Sequence, residues 1–134
     1  MDSVLLDTDV LSFLFKQDSR DEIYKPHLEG KLGVISFMTV AELDFWANVR
    51  NWGAARRAAL SAFIDPYTVI NSDRQLAYMW AEIRSEVMQN GYHIDTADCW
   101  IAATARLHGI PLLTHNHNHF LHVSGLTTIS AHPR

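Results

Sequence analysis

Three acids stand where apolar strands give way to helices. Asp7 ends the run Val4-Leu5-Leu6, Glu42 follows Thr39 by three residues at the opening of an apolar helical stretch, and Asp98 follows Asp95 by three at the opening of another. In a parallel sheet such junctions collect at the C-terminal edge of the strands, where open α/β sheets bind their ligands. Three carboxylates meeting there would repel one another unless cations compensate. Oxygen-only donors suit Mg²⁺ or Mn²⁺. Two such ions about 4 Å apart can activate a water and stabilise the leaving oxygen of a phosphodiester. Each acid also has a purely structural use. Asp7 can cap a helix, Thr39-x-x-Glu42 has the form of a capping box, and Asp95 and Asp98 suit the positive end of a helix dipole. Convergence separates the two readings, because caps have no reason to meet.

Other reactive side chains offer less. His115, His117 and His119 alternate, with His122 close behind. In an extended segment this spacing would put the first three on one side and make a zinc or nickel site conceivable. No cysteine or acid accompanies them, so a solvated loop is the expectation, with one histidine reaching RNA phosphate as the middle case. Cys99 sits between Asp98 and Trp100, where packing is expected rather than nucleophilic chemistry. Arg50, Arg56 and Arg57 neighbour Trp46 and Trp52, a combination that can grip single-stranded RNA by charge and stacking, or form a solvated helix with packed indoles. There is no serine–histidine–acid spacing and no glycine-rich phosphate loop.

The elements that must position the acids follow from the apolar pattern. Strands are expected at Val4–Leu6, Leu32–Ser36, Tyr67–Ile70, Leu112–Thr114 and within Leu126–Ile129. Helices are expected through Val10, Leu11 and Leu14; through Ile23, Tyr24 and Leu28 as far as Gly30; from Thr39 through Leu43, Trp46 and Ala47; over Ala54–Phe63; from a Ser72/Gln75 capping box through Leu76, Trp80, Ile83 and Val87; and from Asp95 to His108, with Gly109 at the cap. Strand and helix alternate, which implies an α/β domain with a mostly parallel central sheet flanked by helices. The 134 residues suit one domain, residues 1–134, and 48% hydrophobic with 19% charged residues argues against disorder. A net charge of −4 lacks the positive surplus common in nucleic-acid binders, so local cations would have to serve. One cysteine, no apolar run near the length of a membrane span and an acidic N-terminal segment give the expectation of a cytoplasmic protein without a signal peptide.

Four blocks resemble the PIN-domain ribonucleases, and within them the VapC group, the toxin half of bacterial toxin–antitoxin pairs. They are Val4-Leu-Leu-Asp-Thr-Asp-Val-Leu-Ser12, Met38-Thr-Val-Ala-Glu-Leu43, Asp98-Cys-Trp-Ile-Ala-Ala-Thr-Ala105, and Pro111-Leu-Leu-Thr-His-Asn116 after His108-Gly109. The third is the most specific, an acid opening an Ile-Ala-Ala-Thr-Ala helix. The resemblance implies a three-layer PIN-like sandwich and an Mg²⁺- or Mn²⁺-dependent endoribonuclease that inhibits translation, commonly by cutting tRNA or exposed ribosomal RNA. It also implies a cognate VapB-like antitoxin and a homodimer, with the helical region of Trp46 and Trp52 commonly serving dimerisation and antitoxin docking. Carried over by position, Asp7, Glu42 and Asp98 are the metal-binding acids and Asn116 the fourth catalytic position. A further acid often stands where this chain has His119, before Phe120. Asp9 is a supporting residue, Asp95 a cap, and Thr114 either a hydroxyl that bonds a ligand carboxylate or a plain strand-end hydroxyl. Relatives show aspartate or asparagine at the Asn116 position, and with Asn116 and His119 both non-acidic an interaction module of the same fold with lost or weak nuclease activity is the second reading. A histidine-ligated metalloenzyme is the third.

Overall fold

Val4 and Leu6 point to one side of their strand and Leu5 to the other, and this alternation divides the core. The structure, a computed structural model, describes residues 2–130. Its strands are β1 (Ser3–Leu6), β2 (Leu32–Ser36), β3 (Thr68–Ile70), β4 (Leu112–Leu113) and β5 (Thr128–Ile129). They form one sheet in the order β3-β2-β1-β4-β5, and every pairing is parallel. Leu5, Val34 and Leu112 face α5 (Arg74–Gln89) and α6 (Thr96–His108), packing with Leu76, Ile83 and Ile101. Val4, Leu6, Ile35 and Leu113 share the other core with residues of α1 (Thr8–Lys16), α3 (Phe37–Val49) and α4 (Ala54–Ile64), among them Leu11, Leu43 and Leu60. The short α2 (Asp21–Tyr24) continues as a 3₁₀ turn over Lys25–His27. Helices thus cover both faces of a parallel sheet, the three layers implied by the sequence. Each Leu or Ile fully withdrawn from water in these cores contributes roughly 1.5–3 kcal/mol.

The element starts differ where a better cap lies nearby. The third helix begins at Phe37 rather than Thr39, because the Ser36 hydroxyl accepts from the Met38 amide. Glu42 therefore sits in the second turn, and the expected Thr39–Glu42 capping box does not form. Likewise Asp73, not Ser72, caps α5, accepting from the Leu76 amide at 2.8 Å. The stretch to Leu28 is not one helix but the short α2 and its 3₁₀ turn. Asp98 is not at a strand-to-helix junction either: α6 follows α5 across a loop, and the α5–α6 hairpin brings its N-terminus to the edge where β1 and β2 end. Gly109 closes α6 in the left-handed conformation at φ 63°, as its position predicts. Among the described residues no helix is long and apolar enough to cross a membrane.

Gly33, paired with Val4 across β1 and β2, is held small by a neighbour. A Cβ there would lie 2.8 Å from Cδ1 and Cε1 of Tyr67, whose ring packs on Phe63. Gly33→Ala is expected to destabilise the fold by about 1–3 kcal/mol through overpacking. Urea denaturation would show it as a lower midpoint at unchanged slope.

Candidate active site

At the edge where β1 and β4 end, Asp7 is nearly buried, 5% exposed, with both carboxylate oxygens engaged. Oδ1 accepts from the Thr8 amide at 2.8 Å, the capping role its position suggested, and Oδ2 accepts from the Thr114 hydroxyl at 2.7 Å. Thr114 in turn accepts from the Asn116 amide. Thr8, immediately after Asp7, turns its hydroxyl across to α3, where it donates to Glu42 Oε1 at 2.8 Å and pairs with the Thr39 hydroxyl at 2.9 Å. Two threonines thus fix two acids. The bond that Thr114 makes matches the expectation for it. The roles of Thr8 and Thr39 were missed, although Thr8 lies between the acids of Asp7-Thr8-Asp9.

Asp7, Asp9, Glu42, Asp95, Asp98, Asn116 and His119 line one cavity of about 200 Å³, with Thr8 and Ala97. The three acids expected to converge do so. Asp98 is half-buried, and its Oδ2 lies 3.2 Å from His119 Nδ1. The Asn116 side-chain Nδ2 donates to Asp9 Oδ2. Asp95 is the N-cap residue of α6, but its side chain makes no capping bond and instead meets His93 at 3.1 Å.

The electrostatics are those of crowded carboxylates in a dry place. Burial, with further pressure from Asp9 and Asp98, pushes the Asp7 carboxyl up from 3.8 to about 7, against the opposing bonds from Thr114 and Thr8. Burial also raises Glu42, with Asp98 and Asp9 adding to the effect and the Thr8 bond opposing it. Asp98 is raised by burial first, then by Asp95 and Asp9, while His119 holds it down. Carboxyls raised first by burial and further by one another fit a hard divalent cation, whose positive charge would compensate both. As the side chains stand, however, no three His, Cys, Asp or Glu residues among the described ones gather closely enough to hold one metal ion. Mg²⁺ needs no such cage, because it commonly keeps several waters and takes one or two carboxylates.

The histidines do not gather as a metal site. His115 is half-buried rather than solvated: its Nδ1 lies 2.6 Å from the Tyr24 hydroxyl, and its ring meets Phe13 edge-on. His117 bonds Asn118, His119 meets Asp98, and His122 stacks on Tyr92 with ring centres 3.4 Å apart. Among the described residues a histidine-ligated centre therefore has no geometric support. Cys99 is buried, its thiol pushed up to about 11 mainly by burial, which makes it a poor nucleophile. Arg57 donates to the carbonyls of Trp52 and Ala47 and to Asn48 Oδ1, closing the end of α3, whereas Arg50 and Arg56 remain exposed.

The chain resembles known proteins over nearly its whole length. The sequence is 29% identical to the tRNA(fMet)-specific endonuclease VapC of Shigella flexneri over 125 residues, covering 92% of this chain and 94% of that protein. It is 26% identical over 124 residues to ribonuclease VapC2 of Haemophilus influenzae, with the same coverage of both chains. A DNA-bound VapBC complex from Salmonella typhimurium contains a chain that superimposes with a TM-score of 0.80 at 25% identity, covering 97% of this chain and 98% of that one. The PIN domain model matches residues 4–126, which span β1 to β4 and all the acids of the cavity, and the chain belongs to the PIN-domain family.

Proposed function

We propose that this chain is a VapC-like toxin, a divalent-metal-dependent endoribonuclease that hydrolyses phosphodiester bonds of tRNA or another structured translational RNA and so inhibits translation. The observation that carries the reading is the convergence of Asp7, Glu42 and Asp98 on one cavity in which each carboxyl is lifted from its ordinary range. PIN-domain nucleases generally use divalent metals. Here Asp7 and Asp98 would hold Mg²⁺ or Mn²⁺, with Glu42 completing the metal set and Asn116 as the fourth catalytic position. When bound, such an ion supplies a water of lowered pKa and positive charge for the leaving oxygen.

The protein's own part is positioning. Thr114 and the Thr8 amide fix the Asp7 carboxylate, and the Thr8 hydroxyl aims Glu42 at the cavity. His119 orients Asp98 from the rim, where it can also meet a phosphate. Asn116 holds Asp9. The chain works as one domain in the cytoplasm, restrained by a VapB-like antitoxin and paired as a homodimer. The named relatives, a ribonuclease and a tRNA endonuclease, support the activity, and the VapBC complex supports an antitoxin partner. The second reading, an interaction module with lost or weak turnover, draws on the fourth position and the one three residues on being Asn116 and His119, neither of them an acid.

Purified protein, free of partner, would be incubated with total cellular RNA in Mg²⁺, in Mn²⁺ and in chelator, and the new ends sequenced. Discrete cuts that need the metal are expected, in one or a few RNAs. Intact RNA in every lane, from protein that unfolds cooperatively, would move the function to the interaction module.

A further inference from the structure

In a chain of net charge −4, the cations Lys16, Arg50 and Arg56 collect at the far ends of α1 and α3 and the start of α4. All three are exposed, and among the described residues none of them forms an ion pair. Four other cations are spent on nearby acids: Arg20 on Asp18, Lys25 on Asp21 and Glu22, Lys31 on Asp2, and Arg106 on Glu82 and Glu86. The Lys16 ammonium is lowered by burial first and then by Arg50 and Arg56, so the three cations feel one another.

Aromatic rings back the two guanidinium groups. Arg56 lies 4.2 Å from the centre of the Trp52 ring and 5.4 Å from that of Phe15, and Arg50 lies 5.3 Å from Trp46. Trp46 and Trp52 are only partly buried, so indole surface remains beside the charge. A guanidinium resting on an aromatic face keeps its N–H edges free for phosphate oxygens, and an exposed indole offers a base a stacking partner. Arg57 holds the α3–α4 corner that sets this arrangement.

The patch is also in register with the acidic cavity. Thr8 and Glu42 are hydrogen-bonded at its floor, and eight residues further along their helices stand Lys16 and Arg50. Both helices start at the cavity edge of the sheet, so each cation stands about 12 Å along its helix axis from the acids. From these placements we infer that Lys16, Arg50 and Arg56, with Trp46 and Trp52, anchor the phosphates and bases of a single-stranded RNA segment a few nucleotides from the bond held over the acids. This deepens the nuclease reading and rests on it. The anchor also accounts for RNA binding by an acidic chain, since the attraction is local.

The test compares the full-length protein with Lys16→Ala/Arg50→Ala/Arg56→Ala and with Arg50→Lys/Arg56→Lys. Poly(U) binding would be followed by tryptophan fluorescence in chelator across a salt series, and KM and kcat would be measured separately on cleavable RNA with metal. Loss of three phosphate contacts should weaken poly(U) binding by roughly ten- to hundredfold near physiological salt and shrink the salt slope by about two. KM should rise far more than kcat falls. The lysine variant should keep the salt slope while its fluorescence change on binding diminishes. An unchanged slope and KM in the triple variant of a cleaving enzyme would overturn the anchor and leave the nuclease standing. Poly-L-glutamate bound as tightly as poly(U), and lost with the same residues, would make the patch a protein interface and likewise overturn it. Wild-type protein that binds poly(U) through these cations yet cuts no RNA would sink the nuclease reading alone.

Discussion

Asparagine at position 98 is expected to leave a folded protein whose RNA cleavage has fallen by more than about a hundredfold. Removing a group that merely supports a metal ligand commonly costs 10–100-fold, so loss of a ligand's charge should exceed that range. The fold has no reason to suffer. Asp98 is raised chiefly by burial and further by Asp95 and Asp9, so its charge opposes the folded state, and an amide at the same place can still meet His119. Thermal unfolding should therefore occur at the same temperature or higher, which separates lost chemistry from lost structure. Asp95 provides the contrast. It lines the same cavity but is exposed and bonded to His93, so Asp95→Asn should cost less than about tenfold if ligation rather than summed charge matters. Equal losses in the two variants would mean that the cavity acts only through its overall field.

How far the sequence reveals this arrangement depends on the range of each interaction. β2 is found at its observed limits, Leu32–Ser36, because a buried parallel strand writes itself as a continuous apolar run. The buried face of α5 is equally plain, with Leu76, Ile83 and Val87 all withdrawn from water. The helix starts at Phe37 and Arg74 are harder, since Ser36 competes with Thr39 and Asp73 with Ser72, and only backbone geometry chooses. In the site, the acids are visible as residue types at element ends. Their fixings are not. The bond from Thr8 to Glu42 spans 34 residues, and those from Thr114 to Asp7 and from Asn116 to Asp9 span 107. His115 shows the same limit from the other side. Its alternation with His117 and His119 suggests a shared direction, but the chain folds into a 3₁₀ turn at His117–Phe120, and the extended geometry that alternation needs is absent. What it meets instead, Tyr24 and Phe13, comes from α2 and α1.

The Asp7 carboxyl makes stability depend on pH in a direction opposite to that of ordinary surface acids. Its pKa is raised in the folded protein, from 3.8 to about 7, so the folded state binds a proton that the unfolded chain releases at lower pH. Stability from this group is fully present below about pH 4, declines as pH rises towards 7, and is flat above. Across that interval, at about 1.4 kcal/mol per pH unit, the cost reaches roughly 4 kcal/mol. Glu42 and Asp98 are raised as well and add to the slope in the same sense. Asp7→Asn removes the largest part while preserving shape: its amide oxygen can accept from the Thr8 amide, and the Thr114 hydroxyl can turn to accept from its NH₂. Metal-free Asp7→Asn should therefore melt roughly 10 °C above wild type at pH 8 and close to it at pH 4. A divalent cation bound by the wild-type carboxylate relieves the same repulsion, so Mg²⁺ at pH 8 should recover much of the lost stability in wild type and little in the variant. Calorimetric scans at the two pH values, with and without Mg²⁺, read all of this together. A gap between Asp7→Asn and wild type that does not widen from pH 4 to pH 8 would show that Asp7 titrates as an ordinary carboxylate. The metal would then be drawn by the cavity's shape and not by its unrelieved charge.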